Sequence, residues 1–353
     1  MIPSHRILVV NPGSTSTKMA LYEEEGEVCA EVIRHDPASL TKFSCIWAQF
    51  DFRLLAVREW AHAHASAVSA VAGVGGLLRP LPGGTYRVNE RMLDDARSNI
   101  QGEHASNLGC AMAHALAQEY GCTAYVVDPV SVDELEPLAR YSGHPLVTRS
   151  ALSHALNIHA AGRRAAQETG ISLESSRFIV AHLGGGISVA PLKGGRIVDI
   201  NDASSDGPFS PERTGGLPLQ QFVTLCFSGS YTERQMRDLV RGRGGLVAYL
   251  GTNCAVEVEQ MIAEGNAKAR EVYEAMGYQI AKEIGAMAAV LKGKVDAVVL
   301  TGGLATSAML VGWITERIRF IAPVLVHPGE DEMRSMAEGT LRVLKGEVEA
   351  REY

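Results

Sequence analysis

Two short apolar runs, each followed by a glycine turn and a second apolar run, recur about half a chain apart. Residues 6–28 read RILVVNPGSTSTKMALYEEEGEV and residues 177–199 read RFIVAHLGGGISVAPLKGGRIVD. A continuous apolar run of four or five residues bounded by turn signals is the mark of a buried strand. The pattern therefore predicts a strand over 7–10, a hairpin partner over 18–22, and the same unit again after Arg177. Asn11 and His182 hold equivalent points of the two copies. A duplicated strand–turn–strand unit predicts two similar lobes.

Between the copies, residues 30–72 mix amphipathic helix with loop, and a Gly/Pro-rich loop follows (GGLLRPLPGGTYRV). Helices are expected over 89–98 and 108–120, and a strand over 124–127 that runs into Asp128–Pro129. The pattern breaks at Gly143, His144 and Pro145, which places the lobe boundary there. Further helices are expected over 153–169, 232–241, 255–264 and 267–291, a strand over 296–301, and a helix from about Ser307. Residues 332–352 read as an amphipathic helix, with Met333, Met336, Leu341 and Leu344 at helical spacing. Strands alternating with helices make this an α/β architecture. The expected division is a first lobe over 1–147, completed by a C-terminal helix over about 330–353, and a second lobe over 148–329.

Composition narrows the function classes. The 353 residues are 46% hydrophobic and 21% charged, enough apolar material for two cores. Net charge is −7, and the Lys/Arg cluster at 237–243 reads as a helix end followed by a loop, so no nucleic-acid partner is expected. Six cysteines lie scattered without CxxC spacing, which reads as reduced thiols. The four-residue apolar run at the N-terminus is too short for a signal peptide, and no stretch is long and apolar enough to span a membrane. A cytoplasmic protein is expected.

Three glycine-containing loops carry the candidate chemistry. Residues 11–18 (NPGSTSTK) offer hydroxyls at Ser14 and Ser16, a cation at Lys18 and a glycine at 13, a set suited to an anion with several oxygens. The loop lacks the Walker A spacing and leads into a strand, so a plain polar hairpin turn fits the residues as well. His182 precedes Gly184, Gly185 and Gly186. Three successive glycines suit close approach of a ligand, although a lone histidine is more often a core residue. Gly302 and Gly303 leave a strand and enter a helix, where N-terminal amides can face a ligand. Asp128 stands at a strand end, a common place to hold Mg²⁺, and Glu330-Asp331-Glu332 opens a helix, where acids also complement the dipole. Arg213 lies in the turn-rich segment 201–218, which has three Gly and three Pro in 18 residues, and reads either as an anion clamp or as a surface charge. His154 sits near a helix start.

Taken in order, NPGSTSTK, GGTY with HASNLG, VVDPVSVDEL, SHALN, HLGGGISVAPLKGGRIVD, DGPFSPERTGGLP, LTGG and PGEDEM resemble the motifs of butyrate kinases. These form part of the acetate kinase family, within the actin/hexokinase/Hsp70 superfamily, and the resemblance spans residues 6–353. It implies a duplicated actin-like ATPase fold of two ribonuclease-H-like lobes with an interlobe cleft for ATP. It also implies reversible transfer of the γ-phosphoryl group to a small carboxylic acid: butanoate and ATP giving butanoyl phosphate and ADP. Acetate, propionate or isobutyrate are alternative acids, and a non-catalytic nucleotide-binding protein of the same fold is the rival from another class. Homo-oligomers, dimers or larger, are common among such relatives.

Carried over motif by motif, the resemblance assigns Asn11, Ser14, Ser16 and Lys18 to the phosphate end of the site. It assigns His182 with Gly184–Gly186 to a second phosphate loop, and Gly302 and Gly303 to the adenosine loop. His154 and Arg213, with Lys18 and Asp128, are the implied catalytic groups. Asn11, Asp128 and Glu332 are the implied Mg²⁺ set, Glu332 being chosen from its acidic cluster. One position departs from the pattern. Butyrate kinases usually read GRGGLL where this chain reads GVGGLL at 73–78, so Val74 replaces an arginine. A weak enzyme, a shifted substrate, or Arg79 or Arg87 standing in are the open outcomes.

Overall fold

The structure, a computed structural model, describes residues 4–329 and 331–353. It divides into two compact units, the chain up to Asp133 together with Asp331–Tyr353, and residues 134–330.

The first unit opens with an antiparallel meander, β1 (Arg6–Pro12), β2 (Ser16–Glu23) and β3 (Gly26–Arg34). A short α1 (Pro37–Leu40) and the longer α2 (Phe50–His64) then carry the chain to β4 (Ala70–Gly73), which lies parallel to β1. After β5 (Thr85–Arg87) come α3 (Glu90–Arg97), α4 (Asn107–Tyr120) and β6 (Thr123–Val127). β6 is parallel to β4 and antiparallel to β5. Asn89 caps α3 by accepting the Met92 amide at 3.0 Å, the side-chain cap that short polar residues supply to a helix start.

The second unit begins with α5 (Ala155–Thr169) and a second meander, β7 (Arg177–Leu183), β8 (Ile187–Lys193) and β9 (Arg196–Ile197). Five helices follow: α6 (Leu219–Cys226), α7 (Glu233–Val240), α8 (Gly245–Leu250), α9 (Ala255–Ala263) and α10 (Ala267–Val290). β10 (Ala297–Gly302) runs parallel to β7, and α11 (Ala308–Ile318) leads to β11 (Val324–Pro328), parallel to β10. The chain then returns to the first unit as α12 (Glu332–Leu344) and β12 (Arg351–Glu352), the latter parallel to β5.

The sheet orders are β12-β5-β6-β4-β1-β2-β3 and β11-β10-β7-β8-β9. Each unit therefore repeats one plan, a three-strand meander whose first strand is extended by two parallel strands. This is the duplicated actin-like ATPase fold. Leu8, Val10, Met19 and Leu21 of the first hairpin pack in one buried cluster with Leu54 and Val57 of α2 and Leu108 and Met112 of α4. Ile179, Ala181, Ile187 and Val189 of the second hairpin pack with Tyr273, Met276 and Ile280 of α10.

Several expectations change. β3 and β4 occupy parts of 30–72 expected as helix and loop. β3 is mostly exposed, so its apolar residues carry little burial signal. α6, α8 and β11 also lay outside the reading. The C-terminal helix ends at Leu344, short of 352, and the chain turns back to pair with β5. The second unit starts at Glu134, before the boundary expected at 147. The reason is local pairing, since Glu134 accepts the Ile197 amide at 2.9 Å and the Glu136 amide donates to the Val198 carbonyl at 2.9 Å.

Candidate functional site

In the first unit, β1 and β2 pair with Asn11 opposite Lys18 and Pro12 opposite Thr17. Directly opposed residues share a face of an antiparallel pair, so Asn11 and Lys18 lie on one face of the hairpin and Thr17 on the other. The turn between them, residues 13–16, closes on a 2.8 Å hydrogen bond from the Gly13 amide to the Ser16 carbonyl. Ser14 and Lys18 are exposed, and Ser16 is half-buried. Asn11 is buried, and its Nδ2 donates to Glu332 Oε2 at 2.7 Å. Glu332 is the first residue of α12, a helix capped by Asp331, which accepts the Arg334 amide at 3.0 Å. The structure thus joins Asn11 to the acid chosen from the cluster. Glu330 lies outside the described residues.

Asp128 follows the last residue of β6, so it stands at the same end of the parallel strands β1, β4 and β6 as Asn11. It is buried, and its φ of 40° is unusual for a residue with a Cβ. The conformation is held from both sides: Oδ1 accepts the Gly84 amide at 2.7 Å, and the Asp128 amide donates to the Gly84 carbonyl at 2.9 Å. No group of three or more His, Cys, Asp and Glu side chains able to hold a metal occurs among the described residues. Two carboxylates and an amide are a small, hard-oxygen set. This is what Mg²⁺ takes when phosphate oxygens and water complete its shell, so the residues fit that ion.

At the family's arginine position, Val74 continues from β4, and its amide donates to the Val10 carbonyl at 3.0 Å. Neither suggested stand-in is free. Arg79 grips Asp95 with Nε at 2.7 Å and Nη2 at 2.9 Å, and Arg87 pairs with Glu352 at 3.2 Å.

In the second unit, β7 and β8 pair with His182 opposite Ser188, so the two share a face. The intervening turn is one residue tighter than the first, and it is the run Gly184–Gly186. His154 immediately precedes α5 and lays its ring on that of His182, with centroids 4.2 Å apart and planes at 26°. Its Nδ1 is 3.0 Å from Ser188 Oγ. Burial of the ring, and then its electrostatic interactions with His182 and Arg213, hold His154 well below the usual histidine range. A protonated His154 is therefore disfavoured, and the ring is held neutral with one nitrogen fixed by Ser188.

Arg213 reaches the same turn. Its Nη1 donates to the Ala203 carbonyl at 2.8 Å, and its buried Nε has no hydrogen-bond partner among the described residues. Desolvation, followed by the nearby Arg241, lowers its basicity, while Glu212 and Asp202 oppose the shift. A Cβ on Gly186 would lie 2.2 Å from Arg213 Nη1, so the third glycine is what lets the guanidinium lie against the turn. Of the sequence alternatives for Arg213, a plain surface charge does not match this setting. Ser210 Oγ bonds the Gly185 carbonyl at 2.6 Å, and Asn201 bonds the Val189 amide at 2.7 Å and the Ile187 carbonyl at 2.8 Å. These two residues hold the 201–218 segment on the turn. Neither was singled out from sequence, where a polar residue in a long loop carries no local signal.

β10 enters the third loop beside β7, with Thr301 in register with His182. Gly302 has φ 95°, and a Cβ there would lie 2.4 Å from the Leu183 carbonyl oxygen, so the residue must be glycine for two reasons. A cavity of about 300 Å³ is lined by Gly184, Gly185, Pro211, Glu212, Asn253, Gly303 and Leu304. It brings the second and third glycine loops to one place within the second unit. No helix among the described residues is long and apolar enough to cross a membrane.

Comparison with known proteins gives this arrangement a family. Residues 152–321, which hold His154, the Gly184–Gly186 turn, Arg213 and the Gly302–Gly303 loop, match the model of the acetokinase family. The chain is 49% identical over 352 residues to butyrate kinase 2 of Clostridium acetobutylicum, covering 99% of each. It is 51% identical over 351 residues to a probable butyrate kinase 2 of Caldanaerobacter subterraneus subsp. tengcongensis, again covering 99% of each. Among solved structures, acetate kinase of Porphyromonas gingivalis superposes with a TM-score of 0.77 at 19% identity, over 96% of this chain and 100% of that one. A propionate kinase from Francisella tularensis gives 0.76 at 18% identity, over 95% and 98%. At that identity the structural likeness establishes the fold, while the likeness to the butyrate kinases extends over 99% of the chain. The chain belongs to the acetokinase family of carboxylate phosphotransferases.

Proposed function

We propose that this chain is a butyrate kinase, transferring the γ-phosphoryl group of ATP to butanoate to give butanoyl phosphate and ADP, and the reverse. The observation that carries the reading is the identity of about half to butyrate kinases over 99% of the chain. A carboxylate oxygen attacks the γ-phosphorus, the bond to the ADP oxygen breaks, and ADP leaves with that electron pair. Butanoate is already ionised at neutral pH, so no general base is needed, and positioning with charge neutralisation supplies the rate.

Each group has a part in this chemistry. Arg213 supplies a fixed positive charge beside the Gly184–Gly186 turn, suited to the charge that develops on the transferring phosphoryl oxygens. Neutral His154 acts there as a hydrogen-bond donor, with His182 stacked against it. Lys18, Ser14 and Ser16 hold phosphate oxygens, and the cavity at Gly184, Gly303 and Leu304 takes part of the adenosine. Asn11, Asp128 and Glu332 would hold Mg²⁺, which when bound neutralises phosphate charge. We also propose that the chain self-associates, with α6 as the surface to test, because none of its residues is buried although it carries Leu219, Phe222, Val223 and Leu225.

A hydroxamate assay with ATP, Mg²⁺ and a panel of acids tests the reading. Acyl phosphate formed fastest from butanoate supports it. No product from any acid would leave a nucleotide-binding protein without kinase activity, and a preference for acetate, propionate or isobutyrate would move the assignment. Inversion at a chiral γ-phosphorus is expected from direct transfer, and retention would overturn that step.

A further inference from the structure

Arg53 of α2 is fully buried, although no acid among the described residues pairs with it. All its bonds go to neutral acceptors. Nη1 donates to the carbonyls of Gly13 at 2.8 Å and Ser16 at 3.1 Å and to Thr17 Oγ1 at 3.3 Å. Nη2 donates to the Ser14 carbonyl at 3.0 Å, and Nε to Gln49 Oε1 at 3.0 Å. The remaining carbonyl of the turn, that of Thr15, accepts the His35 amide at 2.9 Å, and His35 Nε2 lies 2.8 Å from Thr17 Oγ1. Every carbonyl of residues 13–16 is thus turned toward the body of its own unit. Burial alone lowers the basicity of Arg53, with no acid opposing it.

An unpaired buried charge is costly, and a fold that needed only a tight turn would not require one. The arrangement has two effects on an anion at the exposed side of this turn. Carbonyl dipoles are drawn inward, leaving hydroxyls and amides for the ligand, and an uncompensated positive charge sits directly behind the turn. Lysine could not replace it, because one ammonium cannot span three carbonyls that diverge around a planar fork. We propose that Arg53 is a positioning residue for the polyphosphate of ATP, setting the 13–16 turn from behind and contributing its charge without touching the nucleotide. The proposal rests on the reading of residues 11–18 as a phosphate loop.

The test compares the full-length wild-type chain with Arg53→Met, Arg53→Lys and Lys18→Ala. Dissociation constants are measured for MgATP and for adenosine, which lacks phosphate. Arg53→Met should weaken MgATP binding by about 10- to 100-fold, the range for losing hydrogen bonds to a charged group, and leave adenosine unchanged. Arg53→Lys, which keeps the charge and loses the fork, should fall between wild type and Arg53→Met. A parallel loss for adenosine and MgATP would make Arg53 a general fold residue and overturn the proposal, as would no loss for either. If circular dichroism shows Arg53→Met unfolded, Arg53→Lys decides on the same comparison. Lys18→Ala separates the two levels: if it leaves MgATP affinity intact, the phosphate-loop reading and the Arg53 proposal both fail. If Lys18→Ala weakens MgATP and the Arg53 variants do not, the Arg53 proposal alone fails.

Discussion

Gly186→Ala should damage phosphoryl transfer while sparing the fold. The added methyl would lie 2.2 Å from Arg213 Nη1 and 2.6 Å from Cζ. Non-bonded heavy atoms sit best at about 3.5 Å, so the guanidinium tip must retreat by roughly 1.3 Å. Among the described residues the guanidinium is restrained by its hydrogen bond to the Ala203 carbonyl, and a long flexible side chain can make this movement without disturbing the core. Stability should therefore change by less than about 1 kcal/mol, because the atoms that must move are the end of a flexible side chain. Activity responds differently, because a misplacement of about 1 Å in a positioning group costs on the order of 100-fold, or about 2.7 kcal/mol in the barrier. Steady-state acyl-phosphate formation should show the loss in kcat, with thermal unfolding nearly unchanged.

The double variant makes the argument decisive. If Gly186 acts through Arg213, then adding Gly186→Ala to Arg213→Ala costs nothing more, since the displaced group is already gone. Losses that multiply, or a Gly186→Ala enzyme with wild-type kcat, would refute the claim that this turn positions Arg213.

Three further outcomes follow from the geometry. Because the folded-state pKa of His154 is depressed, the unfolded chain binds the extra proton first. Its contribution to stability is thus complete above the unfolded value of about 6.5 and is lost as pH falls from there toward the folded pKa. Wild-type Tm should decline below that pH, and His154→Gln should decline less steeply over the same window; identical slopes would refute the assignment. Val74→Arg should raise kcat/KM for butanoate by about 10-fold or more, the gain from a charged hydrogen bond of about 1.5–3 kcal/mol, since Arg79 and Arg87 are held by Asp95 and Glu352. Rates unchanged across an acid panel would mean the acyl site does not need that arginine. Glu332→Gln should raise the Mg²⁺ concentration for half-maximal rate by about 10- to 100-fold, the usual cost of altering a metal's supporting groups, while unfolding stays close to wild type. An unchanged Mg²⁺ requirement would remove Glu332 from the metal site.

Residues of the two hairpins were legible because their signal is local. Ile7–Val10 and Phe178–Ala181 are unbroken apolar runs, and the glycines beside them mark turns whatever the rest of the chain does. β3 was not legible, because an exposed edge strand has no buried face to impose a pattern. Distant partners were hidden for another reason. Glu332 meets Asn11 across 321 positions, and Arg53 meets Gly13 across 40, so nothing near either residue in sequence points to the other. Yet Arg53 did leave a trace. On α2, Leu54, Val57, Trp60 and Ala61 form the buried stripe, and Arg53 falls on it four residues before Val57 and seven before Trp60, whereas Arg58 falls off it. A helix reading that sorts residues only as apolar or polar counts both arginines as surface. Phase distinguishes them: a charge set on the apolar stripe must either pair inside the protein or act on something beyond it. Arg58 pairs with Glu119 at the surface, and the hydrogen-bond partners of Arg53 among the described residues are carbonyls and neutral side chains. By that argument the charge that the core does not neutralise is directed at the turn it supports, and the anion that turn receives is its counterpart.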